Sequence, residues 1–146
     1  MKFTLISTTT GSHPVFNNEI IANFLLEQLE EYGDEKQDIL NALDYAANIK
    51  TDGKGYVLIG HDVEEIIGVV VINETGMSGY IPENILVYIA THKNYRGKGY
   101  GRELMVQAID QCKGDIALHV EKENPARFLY EKLGFTNPYI EMRLKR

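Results

Sequence analysis

Between Arg96 and Arg102 the chain reads Arg-Gly-Lys-Gly-Tyr-Gly-Arg, three alternating glycines and three cations in seven residues. Gly97, Gly99 and Gly101 allow a tight turn and remove the Cβ atoms that would shield the N–H groups, including that of Tyr100. The run joins a β-branched apolar stretch to an amphipathic helical one. Its last residues therefore open a helix, whose first N–H groups lack intrahelical acceptors and carry the positive end of the helix dipole. Together these features make an anion site, and a pyrophosphate is the natural guest. Arg96, Lys98 and Arg102 add full charges to a chain whose net charge is −6.

Spacing narrows the ligand. A Walker A loop ends in Gly-Lys-Ser/Thr, whereas Gly101 is followed by Arg102-Glu103. A dinucleotide fingerprint needs glycine at the position of Arg102, although Glu121 stands about twenty residues on, where a ribose-binding acid would sit. The dinucleotide reading thus stays as an alternative, disfavoured by Arg102 and by the hairpin that precedes this unit.

The elements that must position the turn follow from periodicity. Lys2–Thr9 is β-branched and reads as an opening strand. From Asn17 or Asn18 a helical period puts Ile20, Ile21, Phe24, Leu25 and Leu29 on one face, with Gly33 after its end. Asp34 and Gln37 are spaced as a capping box for a second helix burying Ile39, Leu40, Leu43 and Ala47. Tyr56–Gly60 and Ile66–Asn73 read as an antiparallel hairpin around His61–Glu65. Ile85–Thr91 reads as a central strand, apolar on both faces. Leu104, Met105, Ala108, Ile109 and Cys112 line the helix after the turn, and Ile116–Val120 is a further strand. Pro125 and Gly134 bracket a short helix, the expected asymmetry. Ile140, Met142 and Leu144 alternate with Glu141, Arg143 and Lys145 as a last strand. The order is β-α-α-β-β-β-α-β-α-β, and three consecutive strands in the middle predict a mixed α/β (α+β) sheet, not a doubly wound one.

Arg96-x-x-Gly99-x-Gly101 after a strand resembles the acyl-CoA loop of the Gcn5-related N-acetyltransferases (GNAT superfamily). Ile89-Ala90-Thr91-His92-Lys93-Asn94-Tyr95 leads into Arg96 as that family's fourth strand does. Asn124-Pro125-Ala126-Arg127-Phe128-Leu129-Tyr130-Glu131-Lys132-Leu133-Gly134-Phe135 resembles its second CoA segment. The close match runs from about Ile85 to Phe135, and both segments at this separation are a far more specific signal than a lone R-x-x-G-x-G.

The resemblance implies a single N-acetyltransferase domain over residues 1–146, with a mixed, mostly antiparallel sheet flanked by helices. It implies acetyl-CoA as cosubstrate and direct transfer to an amine in a ternary complex. Backbone groups of Ile89, Ala90 and Thr91 would pair with the pantetheine arm, and an N–H there would polarise the thioester carbonyl. Tyr130 matches the tyrosine that protonates the departing thiolate. A phenol with a pKa of about 10 can donate to a thiolate whose conjugate acid lies near about 8.5. Asn124 matches a cofactor contact and also caps its helix, six residues before Tyr130 where many relatives have seven. His119 occupies a strand position where some relatives carry a catalytic glutamate, and an imidazole suits a base at neutral pH. Glu83, where the fourth strand begins, is the second candidate base. The histone-modifying branch has a glutamate two residues further on, at the place of Ile85, so this chain departs from it.

Composition bounds the rest. The chain has 146 residues, 44% hydrophobic and 25% charged, ordinary for one soluble domain. Acidity disfavours nucleic acid and anionic lipid as partners and suits a cationic amine. Cys112 is the single cysteine, so no internal disulfide forms, and a small apolar packing role is expected of it. Phe3–Ile6 is too short for a signal peptide, and Ile66–Ile72 is far below the roughly 20 residues that span a bilayer. These readings predict a cytoplasmic protein. His13, His61 and His92 are scattered with no metal-ligand spacing. A small molecule or free amino acid is the expected acceptor, because no spare segment is read as gripping a protein, while a polyamine or a protein N-terminus stays open. A homodimer is an expectation from the family alone. The alternative from another class is a non-catalytic acyl-CoA-binding regulatory module on the same fold.

Overall fold

The computed structural model describes residues 1–47 and 53–146. Its frame is a five-stranded sheet in the order β1-β2-β3-β4-β5. The strands are β1 (Lys2–Ser7), β2 (Gly55–Asp62), β3 (Glu65–Glu74), β4 (Asn84–Thr91) and β5 (Ile116–Leu118). The first four pair antiparallel, and β5 lies parallel to β4. The helices are α1 (Asn18–Leu29), α2 (Lys36–Ala47), α3 (Tyr100–Gln111) and α4 (Ala126–Lys132), with 3-10 turns at Glu30–Tyr32 and Lys93–Tyr95. The mixed, mostly antiparallel sheet read from the sequence is the one observed. Among the described residues no helix is long and apolar enough to cross a membrane.

Alternation along the strands feeds two apolar layers. Val57, Ile59, Val69 and Val71 face α1 and α2, where Ile21, Leu25, Ile39 and Leu43 are fully buried. Tyr56, Leu58, Val70 and Ile72 face the other way, onto Leu104, Met105 and Ala108 of α3 and Tyr130 of α4. Period two in the strands and near 3.6 in the helices bring these sets together.

Local signals explain most boundaries. Asn17 caps α1, its side chain accepting from the Ile20 N–H at 3.0 Å. Gly134 takes φ +100° just past α4, while the Phe135 N–H returns to the Tyr130 carbonyl at 3.0 Å. The β2–β3 connection is tighter than expected, with Val63 and Glu64 alone between the strands.

Ile20, expected on the inward face of α1, is 45% exposed, and two further expectations fail. Asp34 and Gln37 form no capping box: Asp34 Oδ2 accepts from the Tyr88 hydroxyl at 2.5 Å and Gln37 donates to Asn41. The Asp38 and Ile39 N–H groups bond the Glu35 carbonyl, at 3.0 and 3.2 Å. The C-terminal strand does not form either, and Ile140, Met142 and Leu144 are 79–89% exposed. Alternation defines a face, but a strand also needs a hydrogen-bonded neighbour, and β5 is only three residues long.

Candidate functional site

The site begins with a fault in the sheet. Val71 pairs with Tyr88 and Ile72 with Leu86, so Val87 is an extra residue in β4. This bulge turns consecutive side chains: Leu86 packs toward α3, while Val87, Tyr88 and Ala90 pack toward α1 and α2. Pairing between β4 and β5 stops at the same place. It covers Asn84↔Ile116, Ile85↔Ala117 and Leu86↔Leu118, and then the two strands part. The paired stretch is pinned at its start by buried Asn84, whose amide donates to the carbonyls of Lys113 (2.8 Å) and Asp115 (3.2 Å). Val87–Thr91, including the predicted Ile89, Ala90 and Thr91, therefore run beside no β5 partner.

β4 leads into the glycine turn. Gly97 and Gly99 take φ +75° and +86°, a region that favours glycine, and Gly99 is the N-cap of α3. The first helical bond runs from the Glu103 N–H to the Gly99 carbonyl. The N–H groups from Gly97 to Arg102, that of Tyr100 among them, have no protein acceptor among the described residues. Gly101 has an ordinary φ, and a Cβ on it would sit 3.6 Å from Leu129, so α4 packs across the helix start here. Helix α3 is seated by Leu104, which fills the dent left by Gly60 and Gly68 on adjacent strands.

The three cations of the turn differ. Lys98 lies 5.9 Å from the Tyr95 ring centroid, and Arg102 makes no ion pair or hydrogen bond among the described residues. Each nitrogen of Arg96 meets a protein partner: Nε donates to the Thr91 carbonyl (3.0 Å), Nη2 to the Gln28 carbonyl (2.7 Å), and Nη1 meets Glu30 at 3.3 Å. Gln28 is a residue that sequence reading missed. It is 5% exposed, and its Oε1 accepts from the Lys93 N–H at 2.9 Å. A polar residue one helical turn from Leu25 on an apolar face was the available signal.

Tyr130 lies in the apolar cluster that also holds Leu86, Ile89 and Leu118, the side chains where the strands part. Its ring is 5.9 Å from that of Phe135, and its hydroxyl has no partner among the described residues. Burial pushes this phenol up to about 12, so it holds its proton throughout the neutral range. Asn124 caps α4, its Oδ1 accepting from the Ala126 N–H at 2.9 Å. His119 is exposed immediately after β5, at the parting point, with Arg143 Nη2 3.5 Å from its Nδ1. Glu83 sits at the other end of the paired stretch. Its carboxylate packs on Gly114 and accepts from the Asp115 N–H at 3.4 Å. Register separates Glu83 from His119 by four strand positions, about 13 Å, so the structure does not bring the two candidate bases together.

The opposite wall comes from the α1–α2 junction. Tyr88 reaches Asp34 there, and the Tyr32 hydroxyl donates to the Glu123 carbonyl at 3.3 Å. Partial desolvation and then Glu31, Glu121, Glu123 and Glu30 raise the Tyr32 phenol, so carboxylates from both walls lie near it.

A sequence model of the Acetyltransferase (GNAT) family matches residues 18–135, from the start of α1 to the end of the second CoA-like segment. The chain belongs to this family. GNAT architecture also appears in the structural comparisons. The ribosomal-protein-alanine N-acetyltransferase of Brucella melitensis biovar Abortus 2308 superposes with a TM-score of 0.67 at 15% identity, covering 100% of both chains. A transcriptional regulator of Bacillus halodurans C-125 gives 0.68 at 23%, covering 99% of this chain and 100% of that one. A possible acetyltransferase of Clostridium difficile 630 gives 0.68 at 17%, covering 100% and 98%. At these identities the likeness speaks for the fold. Among curated sequences, the cysteine-rich protein 2-binding proteins of Mus musculus and Homo sapiens are 35% identical over 60 residues, 40% of this chain. That stretch spans 8% of those relatives' length. GNAT family and fold together support acetyl transfer as the general activity.

Proposed function

We propose that the protein is an N-acetyltransferase that moves an acetyl group from acetyl-CoA to the amine of a small molecule, both reactants being held in one cleft. The observation that carries this reading is that β4 parts from β5 at Leu86 and runs directly into the unpaired N–H groups of Gly97–Arg102. A row of free donors with Lys98 and Arg102 beside it fits a pyrophosphate, and an open strand edge fits an amide-bearing arm. A nucleotide without such an arm would leave that edge unused.

Acetyl-CoA, when bound, supplies a thioester whose carbonyl carbon is open to a neutral amine and whose sulfur leaves as thiolate. The chain's residues do the rest. N–H groups of Gly97–Arg102 hold the pyrophosphate, and Asn124 adds its contact while capping α4. Main-chain groups of Ile89, Ala90 and Thr91 orient the arm, with an N–H polarising the carbonyl. Tyr130, kept protonated by burial, donates to the thiolate. His119, at the mouth of the gap, takes the proton from the ammonium, directly or through water. Glu83, held at Gly114, is the weaker candidate for that task. The net charge of −6 and the carboxylates around Tyr32 suit a cationic acceptor. Holding both reactants in one cleft supplies much of the rate.

The test is calorimetric titration with acetyl-CoA beside NADH, followed by thiol release over a panel of amines. The reading expects micromolar acetyl-CoA binding, lost in Gly99→Glu, and turnover on at least one amine. Tyr130→Phe should keep binding while kcat falls about a hundredfold, the range of general acid catalysis. Preference for NADH, or no acetyl-CoA binding, overturns it.

A further inference from the structure

We propose that Arg96 is a positioning residue and not a phosphate contact, and that Gln28 and Arg96 form a brace fixing the anion turn to the end of α1. The functional part of this inference rests on the acetyl-CoA reading above.

Each nitrogen of the Arg96 guanidinium has a protein partner, although the side chain is 43% exposed. Nε closes onto the Thr91 carbonyl at the end of β4, and Nη2 reaches the Gln28 carbonyl in the last turn of α1. The final carbonyls of a helix lack intrahelical donors and carry the negative end of its dipole, so a cation placed there is stabilised. Glu30 neutralises the remaining edge. The planar fork binds three acceptors at once, which a lysine ammonium cannot reproduce in this geometry. Gln28 supplies the second half of the brace. Its buried Oε1 takes the Lys93 N–H, fixing the 3-10 turn from which the glycine run departs. The positive charge left for an anion is then that of Lys98 and Arg102.

A consequence is mechanical. Glu30 takes φ +55°, a costly conformation for a residue with a side chain, where α1 meets the 3-10 turn of Glu30–Tyr32. Through Arg96 this same junction, which also carries Tyr32 and Asp34, is tied to the turn. The brace therefore joins the donor-side turn to the wall opposite β5, and loosening it raises the KM for acetyl-CoA more than it lowers kcat.

The experiment compares Gln28→Leu, Arg96→Leu, Arg96→Lys and the Gln28→Leu/Arg96→Leu double variant, with Arg102→Ala as the control for a cation facing the ligand. Amide hydrogen exchange over residues 93–95, whose N–H groups are hydrogen-bonded, is read first, on the ligand-free protein. Acetyl-CoA affinity is then measured across a salt series. The brace predicts faster exchange in each Gln28 and Arg96 variant, with the Lys93 amide most affected in Gln28→Leu. It predicts affinity weakened roughly tenfold in Arg96→Leu, the scale of one hydrogen bond to a charged group. The double variant should be no worse than the poorer single one, because the two residues act as one unit. Salt dependence should stay as in the parent protein, whereas Arg102→Ala should flatten it. Arg96→Lys should fail to rescue. The inference is overturned if Gln28→Leu leaves exchange and affinity unchanged, or if Arg96→Leu flattens the salt dependence as Arg102→Ala does. If acetyl-CoA does not bind even the parent protein, the functional reading fails while the exchange data still decide the brace.

Discussion

Leu104 of α3 occupies the space that a side chain on Gly68 of β3 would need, its Cδ1 lying 2.3 Å from the position of a Cβ there. Leu104 is fully buried four residues after the N-terminal end of α3, so this contact sets how the helix start sits over the sheet. Gly68→Val should cost about 1–3 kcal/mol, the usual range for an overpacked core. It should also weaken donor binding, because the free N–H groups shift with the helix. Urea unfolding and calorimetry on the same variant check both effects.

Gly99→Ala and Gly101→Ala should separate cleanly. Gly99 has φ +86°, so a Cβ there costs about 1–2 kcal/mol. Gly101 has an ordinary φ, and its Cβ would meet Thr91 and Leu129 at 3.5 and 3.6 Å, normal packing distances. Chemical denaturation should show a loss for Gly99→Ala and nearly parental stability for Gly101→Ala.

Stability should fall in strong alkali and not before. Burial, the leading cause in each case, raises the phenols of Tyr56, Tyr88 and Tyr130, the last to about 12. Between the ordinary tyrosine value of about 10 and these raised values the unfolded chain holds fewer protons than the folded one. Stability therefore drops as pH rises through that window, and these contributions are fully present below it. Circular dichroism followed with phenolate absorbance should show unfolding and tyrosine ionisation together, and Tyr130→Phe should lessen the slope.

His119→Gln should lower kcat/KM about a hundredfold, within the range of general base catalysis, with acetyl-CoA affinity unchanged. Glu83→Gln should leave the rate within a fewfold of the parent, because its carboxylate faces Gly114 and the Asp115 N–H. Steady-state kinetics on the pair would reverse the assignment if the larger effect fell on Glu83.

Legibility followed the range of the interaction. Asn17, Pro125 and Gly134 act within a few residues and announced their helices correctly. The glycine turn was readable because its conformation demands glycine at Gly97 and Gly99. Where Arg96 points was not readable, since its partner Gln28 lies 68 positions away in sequence and is reached only after α1 docks. Asp34 looked like a cap, yet Tyr88, 54 positions on, takes its carboxylate. The alternation of Ile140, Met142 and Leu144 gave no information about whether a neighbouring strand existed.

The bulge at Val87 acts on β4 as a shift of reading frame. Before it, even-numbered side chains point to one layer; after it, Tyr88 and Ala90 point to the other. Residues on its two sides thus obey opposite parity, and no one-residue insertion or deletion between Val87 and Thr91 can be absorbed by sliding the strand. The connection from Thr75 to Glu83, outside the ladder, carries no such constraint. Changes in length should accumulate there, leaving the stretch that opens the sheet with an invariant count of residues.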